Sequence, residues 1–83
     1  RESGYGRYDV MLIPRQKNQL AFVLEFKVYD AQEELKLEDT VQSALVQIEE
    51  KHYDTELIER GISKSKIRYY GFAFEGKKVL IGE

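Results

Sequence analysis

Leu20-Ala21-Phe22-Val23-Leu24-Glu25-Phe26-Lys27-Val28 holds seven apolar residues in nine, broken only by Glu25 and Lys27. Alternate residues of a strand share a face. Phe22, Leu24, Phe26 and Val28 therefore line one side, and Ala21, Val23, Glu25 and Lys27 the other. A stretch apolar on both sides predicts a central strand covered on both faces. Two charges set mid-strand among Phe and Val need compensation, because an unpartnered buried charge costs several kcal/mol.

Upstream, Tyr8 to Ile13 alternates weakly and stops at Pro14, as a strand closing into a turn does. Arg15-Gln16-Lys17-Asn18-Gln19 is polar and reads as the loop of a hairpin. With the hairpin centred near Lys17, paired positions sum to about 34, which sets Asp9 opposite Glu25. Directly opposed residues have Cβ atoms ~4.5–5.5 Å apart. Two carboxylates at that spacing repel one another unless a cation lies between them. Oxygen-only ligands suit a hard ion, Mg²⁺ or Mn²⁺. Lys27, one pleat further on, is placed to hold the water or phosphate such a metal polarises, which is a site for phosphodiester hydrolysis. The same spacing also describes a Glu25–Lys27 ion pair on a solvated sheet face. A one-residue slip in register would carry Asp9 to the wrong side.

Downstream the period changes. Leu37, Val41, Ala44, Leu45 and Ile48 fall on one helix face, with His52 at its edge as a packing residue. Leu35 lies off that face, so the helix is predicted to start near Leu37 rather than at the Asp30…Glu33 capping pattern. Asp54 is placed to cap a short helix, Thr55 to Arg60, and Gly61 to end it in a left-handed conformation. Ile67 to Phe74 is a strand whose Tyr69, Tyr70, Phe72 and Phe74 alternate across both faces as core. Glu75-Gly76-Lys77 turns it into a last strand, Val79 to Ile81. The predicted fold class is α/β (α+β): a mixed sheet of about four strands with one long and one short helix.

Composition bounds the function. The 83 residues allow one small domain, 42% hydrophobic and 34% charged, with ten aromatics. Cysteine is absent, which excludes disulfides, thiolate metal sites and a cysteine nucleophile. One histidine leaves little for a His-rich metal site or a Ser-His-Asp triad. No apolar run exceeds Leu20–Leu24, so no membrane span is expected. Nothing at the N-terminus reads as a targeting peptide, and a cytoplasmic location is expected. A net charge of −2 argues against nucleic-acid binding by bulk charge alone. The chain begins at Arg1 and its one methionine is Met11, so it is expected to be a piece of a longer protein, with residues 1–83 forming a single domain.

Arg1-Glu2-Ser3-Gly4-Tyr5-Gly6-Arg7-Tyr8-Asp9-Val10-Met11-Leu12-Ile13-Pro14, followed by Val23-Leu24-Glu25-Phe26-Lys27, resembles the PD-(D/E)XK nuclease superfamily. In particular it resembles the nuclease-like domain C-terminal to an AAA-ATPase-like domain in prokaryotic proteins. Ala44-Leu45-Val46-Gln47-Ile48 with Tyr53, and Tyr70-Gly71-Phe72-Ala73-Phe74 with Gly76-Lys77-Lys78-Val79, agree with it. The resemblance implies a Mg²⁺- or Mn²⁺-dependent nuclease. Asp9 would be the motif aspartate, Glu25 the second acid and Lys27 the lysine, with the metal on Asp9 and Glu25. RecB-like members carry a glutamine and a tyrosine four apart on the following helix. Gln47 matches the glutamine, whereas Tyr53, six positions on, does not fit that spacing. The implied substrate is nucleic acid, DNA first, and the implied partner an AAA-ATPase-like domain. The family order is αβββαβ. Without its opening helix and first strand this chain would be a truncated restriction-endonuclease-like core, and an uncovered sheet face would favour a homodimer. The alternative is a non-catalytic nuclease-like module that binds a partner or nucleic acid.

The remaining polar residues are weaker candidates. Glu2 has the opposite strand parity to Asp9 and reaches the site only if Gly4 and Gly6 bulge the chain. Ser3-Gly4-Tyr5-Gly6 reads as a bend rather than a phosphate loop. Arg7 shares Asp9's parity and is placed to pair with a carboxylate or touch phosphate. Arg15 and Lys17, and Lys64, Lys66 and Arg68, are basic clusters of the kind that are commonly just solvated.

Overall fold

The computed structural model describes residues 2–4 and 6–83, and side chains from Gly6 onward. Arg1 and Tyr5, and the side chains of Glu2 and Ser3, lie outside the described residues. The elements are β1 (Glu2–Gly4), β2 (Arg7–Leu12), β3 (Ala21–Val28), α1 (Leu37–Lys51), α2 (Thr55–Glu59), β4 (Ile67–Glu75) and β5 (Lys78–Gly82), with one 3₁₀ turn at Lys64–Lys66. The five strands lie in chain order. β3 and β4 are parallel, and every other neighbouring pair is antiparallel. A parallel join needs a long crossover, which α1 and α2 supply.

β1 is the element the sequence did not predict. It is three residues long and pairs with β2 through a shifted register, Glu2 with Tyr8 and Gly4 with Arg7. The register is therefore irregular between Glu2 and Gly4, before the two glycines.

Helix α1 starts at Leu37, as its apolar period requires. Asp39 supplies the start signal. Its Oδ2 accepts the backbone N–H groups of Leu35 at 3.0 Å and Lys36 at 3.1 Å. Acidic Glu38 and Asp39 also suit the positive end of the helix dipole. The helix ends at His52, whose φ of 52° is left-handed. His52 is exposed, so it terminates the helix instead of packing along it. Asp54 also departs from its expected role. It makes no side-chain cap to α2, and its Oδ2 accepts the Tyr69 hydroxyl at 2.5 Å. Burial, then that bond and Asp54's charge, push the Tyr69 phenol above its usual range.

The helices cover one face of the sheet. Ala21 and Val23 of β3 and Ile67 of β4 pack with Ile48, Tyr53 and Leu57 of the helical segment. α1 sits close because Gly71 has no side chain. A Cβ at Gly71 would lie 2.9 Å from the Val41 carbonyl oxygen and 3.1 Å from Ala44 Cβ. The other face carries Phe22, Leu24 and Phe26 beside Tyr70, Phe72 and Phe74, all half-buried. Phe26 and Phe72 are in ring contact there, with centroids 4.8 Å apart.

Gly71→Ala should therefore destabilise the domain by overpacking, on the order of 1–3 kcal/mol. Urea denaturation checks this: the midpoint should fall with the slope unchanged, and an unchanged midpoint would mean that α1 can lift without cost.

Candidate active site

The buried row on β3 changes character along its length. Ala21 and Val23 are apolar core, while Glu25 and Lys27 continue the same row as charges. All of them are covered: Glu25 is 0% exposed, Lys27 7% and Asp9 5%. Asp9 pairs directly with Glu25, and Arg7 with Lys27. The hairpin register is thus the one the sequence predicts. Two carboxylates face each other across the strands, and two cations face each other one pleat further on.

Like charges opposed in this way are destabilising unless each meets an opposite charge. Arg7 Nη2 donates to Ser43 Oγ on α1 at 2.7 Å, and its Nη1 lies 3.7 Å from Glu25 Oε2. Lys27 Nζ donates to Glu34 Oε2 at 2.5 Å. Glu34 lies in the loop between β3 and α1 and is only 7% exposed. Its other oxygen accepts Thr40 Oγ1 at 2.8 Å and the Asp30 backbone N–H at 2.9 Å. Burial alone would raise the Glu34 carboxyl. The Lys27 and Thr40 bonds, the Asp30 amide and the Lys27 charge outweigh it and hold the group below the ordinary carboxylate value.

Two open clefts reach this cluster. One, about 640 Å³, runs along β2 past Asp9, Met11 and Ile13, with Tyr53 and Thr55 opposite. The other, about 730 Å³, is lined by Arg7, Lys27, Glu34 and Ser43. Asp9 thus faces one cleft and Lys27 the other, with Glu25 enclosed in the same row. Gln47 does not line the Asp9 cleft; Tyr53 does. Gln47 Nε2 donates to the Tyr53 hydroxyl at 3.2 Å. The left-handed turn at His52 carries Tyr53 back toward Gln47, so a six-residue spacing joins two residues that helical counting keeps apart. Glu34 was missed for a similar reason. It sits in an irregular loop with no period, and the signal available was an uncompensated lysine in an apolar strand.

Facing, buried Asp9 and Glu25 fit a divalent ion by the chemistry of the donor set. Mg²⁺ is commonly held by one or two carboxylates, with waters and substrate phosphate completing its shell. Among the described residues no three or more His, Asp or Glu form a metal-holding cluster.

A meander followed by a helical crossover and a parallel strand, with an acid opposite an E-x-K row, defines a nuclease-type core. The model of the PD-(D/E)XK nuclease superfamily matches residues 1–83, and the chain belongs to that superfamily. No curated protein and no solved structure matches the chain.

Removing one partner of a buried ion pair typically costs ~3–5 kcal/mol. Glu34→Gln should fall near the lower end, because the amide keeps an acceptor for Thr40. The combined Lys27→Met, Glu34→Gln change should cost less than the sum of the two single changes. The pH dependence has a definite sign. A carboxyl held below its unfolded value of 4.5 stabilises the fold above that pH. The contribution is lost as pH falls through the lowered folded value. Acid titration of stability should show a shallower decline in Glu34→Gln than in the wild type, and equal slopes would mean that Glu34 is not part of the linkage.

Proposed function

We propose that this domain hydrolyses phosphodiester bonds of nucleic acid, DNA first, in a reaction that requires Mg²⁺ or Mn²⁺. The observation that carries this is the direct opposition of buried Asp9 and Glu25, with Lys27 next along the same row. Asp9 and Glu25 would hold the ion, which when bound supplies a Lewis acid and a water of lowered pKa. Lys27 and Arg7 line the neighbouring cleft, bonded to Glu34 and Ser43, so they would stabilise the charge that develops on a phosphate reaching from the Asp9 cleft across the Asp9–Glu25 row. Tyr53, with Gln47 behind its hydroxyl, forms the opposite wall of the Asp9 cleft and would orient a substrate there.

We also propose that the domain works in a longer cytoplasmic protein, after an AAA-ATPase-like domain, with strong cutting there and weak or undetectable cutting by these 83 residues alone. The half-buried aromatic row on the outer sheet face supports a homodimer of the isolated domain. Sedimentation at ~100 μM should show a dimer, and a monomer at that concentration would refute it.

One observation favours the alternative, a non-catalytic nuclease-like module: Glu25 is fully enclosed, so an ion reaches it only if the layer above opens. Activity separates the two. Cleavage of plasmid or oligonucleotide should appear only with Mg²⁺ or Mn²⁺ and vanish in EDTA. Asp9→Asn should abolish it, and Lys27→Ala should lower it by ~10²–10³, the loss expected for one charge-stabilising donor. Mn²⁺ should broaden NMR signals around Asp9 and Glu25 whether or not the chain cuts. Metal-independent cleavage, or full activity in Lys27→Ala, would refute the mechanism. Binding of metal without cleavage by the longer protein would establish the non-catalytic module.

A further inference from the structure

The charges of this chain are segregated along the sequence. Fifteen of 83 residues are Asp or Glu, yet none occurs from residue 10 to 24 or from 60 to 74. Those two stretches hold six of the thirteen Lys and Arg: Arg15, Lys17, Arg60, Lys64, Lys66 and Arg68. Separately each is an ordinary basic run. The fold brings them to one end of the molecule.

Two observations place them together. Ala21 pairs with Ile67 and Phe22 with Arg68, so the β2–β3 loop and the segment leading into β4 meet at the same end of the sheet. The Lys17 side chain reaches across to Gly61, where a Cβ would lie 2.9 Å from Lys17 Nζ. Gly61 also has a φ of 92°, so no side chain is expected at this contact. All six basic residues are exposed. Arg60 is bridged to Glu56 at 2.9 Å and Arg68 donates to the Ser65 carbonyl at 3.0 Å.

This end is connected to the candidate site. Glu25 lies four residues beyond Ala21 on β3, ~13 Å at about 3.3 Å per residue. The cleft that holds Asp9 follows β2 through Met11 to Ile13, in the direction of the Arg15–Lys17 loop. Its far wall carries Glu56, already bridged by Arg60, and Glu59. Lys51 stands at the α1 end of the same lining, and a phosphate chain entering between those acids and β2 would meet the remaining cations at the loop end. Along the axis of a DNA duplex ~13 Å corresponds to about four phosphates of one strand.

We propose that the end formed by Arg15, Lys17, Lys64, Lys66 and Arg68 binds the phosphate backbone of a nucleic acid and leads it along the β2 cleft toward Asp9. The surface reads charge and not sequence, because the side chains on it are long, exposed cations. It explains how a chain of net charge −2 can hold a polyanion: the basic end is local, and residues 10–24 and 60–74 contain no acid. The proposal rests on the nuclease reading for the identity of the polyanion.

The test uses the 83-residue chain in EDTA, so that binding is measured without cutting. Fluorescence anisotropy reads a labelled single strand of roughly 20 nucleotides and its duplex over a salt series. The triple variant Lys17→Glu, Lys64→Glu, Lys66→Glu should weaken binding by about tenfold or more and flatten the salt slope by about 0.7 per lost contact. A charge-matched control, Lys36→Glu, Lys77→Glu, Lys78→Glu, alters the opposite end and should change binding by less than about twofold, as expected for screened distant charges. Circular dichroism confirms that both sets fold. Equal weakening by the two sets would overturn the proposal, as would no binding by the wild type. Poly-glutamate competing as well as an oligonucleotide of equal charge would also overturn it, in favour of an acidic protein partner. Cleavage in Mg²⁺ with an unchanged KM in the Lys17/Lys64/Lys66 variant would overturn the surface while leaving the nuclease reading intact. Charge-dependent binding without any cleavage by the longer protein would do the reverse.

Discussion

The structure is built around a row of charges that a helix covers. Ala21, Val23, Glu25 and Lys27 form one buried line on β3, and α1 seats on it through the gap at Gly71. Half of that line stabilises the fold by apolar burial. The other half costs desolvation and must be balanced by Arg7, Ser43, Glu34 and Thr40. A fold that only needed a core would place Val or Leu at residues 25 and 27. Keeping charges there makes the loop between β3 and α1 a required part of the structure, because it carries Glu34.

This arrangement explains why the fold was readable and parts of the site were not. The alternation in β3 and the polar hairpin loop set the register, since a slip by one would invert every side chain of the strand. Asp9 opposite Glu25 follows from those constraints alone. The period of α1 gave its start at Leu37, where Asp39 confirms it by bonding the preceding amides. β1 was hidden because three residues beside two glycines carry no period. Glu34 was hidden because irregular loops have none, and Asp54 because a carboxylate before a helix can equally take a distant phenol.

Tyr53 shows the limit of counting along a helix. Six residues from Gln47, it belongs to a different face of any continued helix. His52 breaks that continuity with a left-handed backbone, which for a side chain with a Cβ costs about 1–2 kcal/mol. The cost is offset by the position it gives Tyr53, buried, bonded to Gln47 and packed against Ile48 and Leu57 in the core. A strained residue at a helix end and a polar pair beside the Asp9 cleft are therefore one feature. The αL turn does for this spacing what a regular helix does for residues four apart.

The helix–sheet layer is divided along the strands, and the division orders the molecule. From the hairpin loop inward there is first an exposed basic end, then the apolar core at Ala21 and Val23, then the ionic row at Glu25 and Lys27, and last the loop that carries Glu34. The acids proposed to hold a metal and the cations proposed to meet phosphate would neutralise one another if they were interspersed. Separating them by the apolar core keeps both fields. The buried carboxylates stay together around Asp9 and Glu25, and the exposed lysines stay at the periphery, where under the proposed function a polyanion would first be met. The Asp9 cleft would be the route between the two, because it is the side of β2 along which the same strand passes from buried acid to exposed loop.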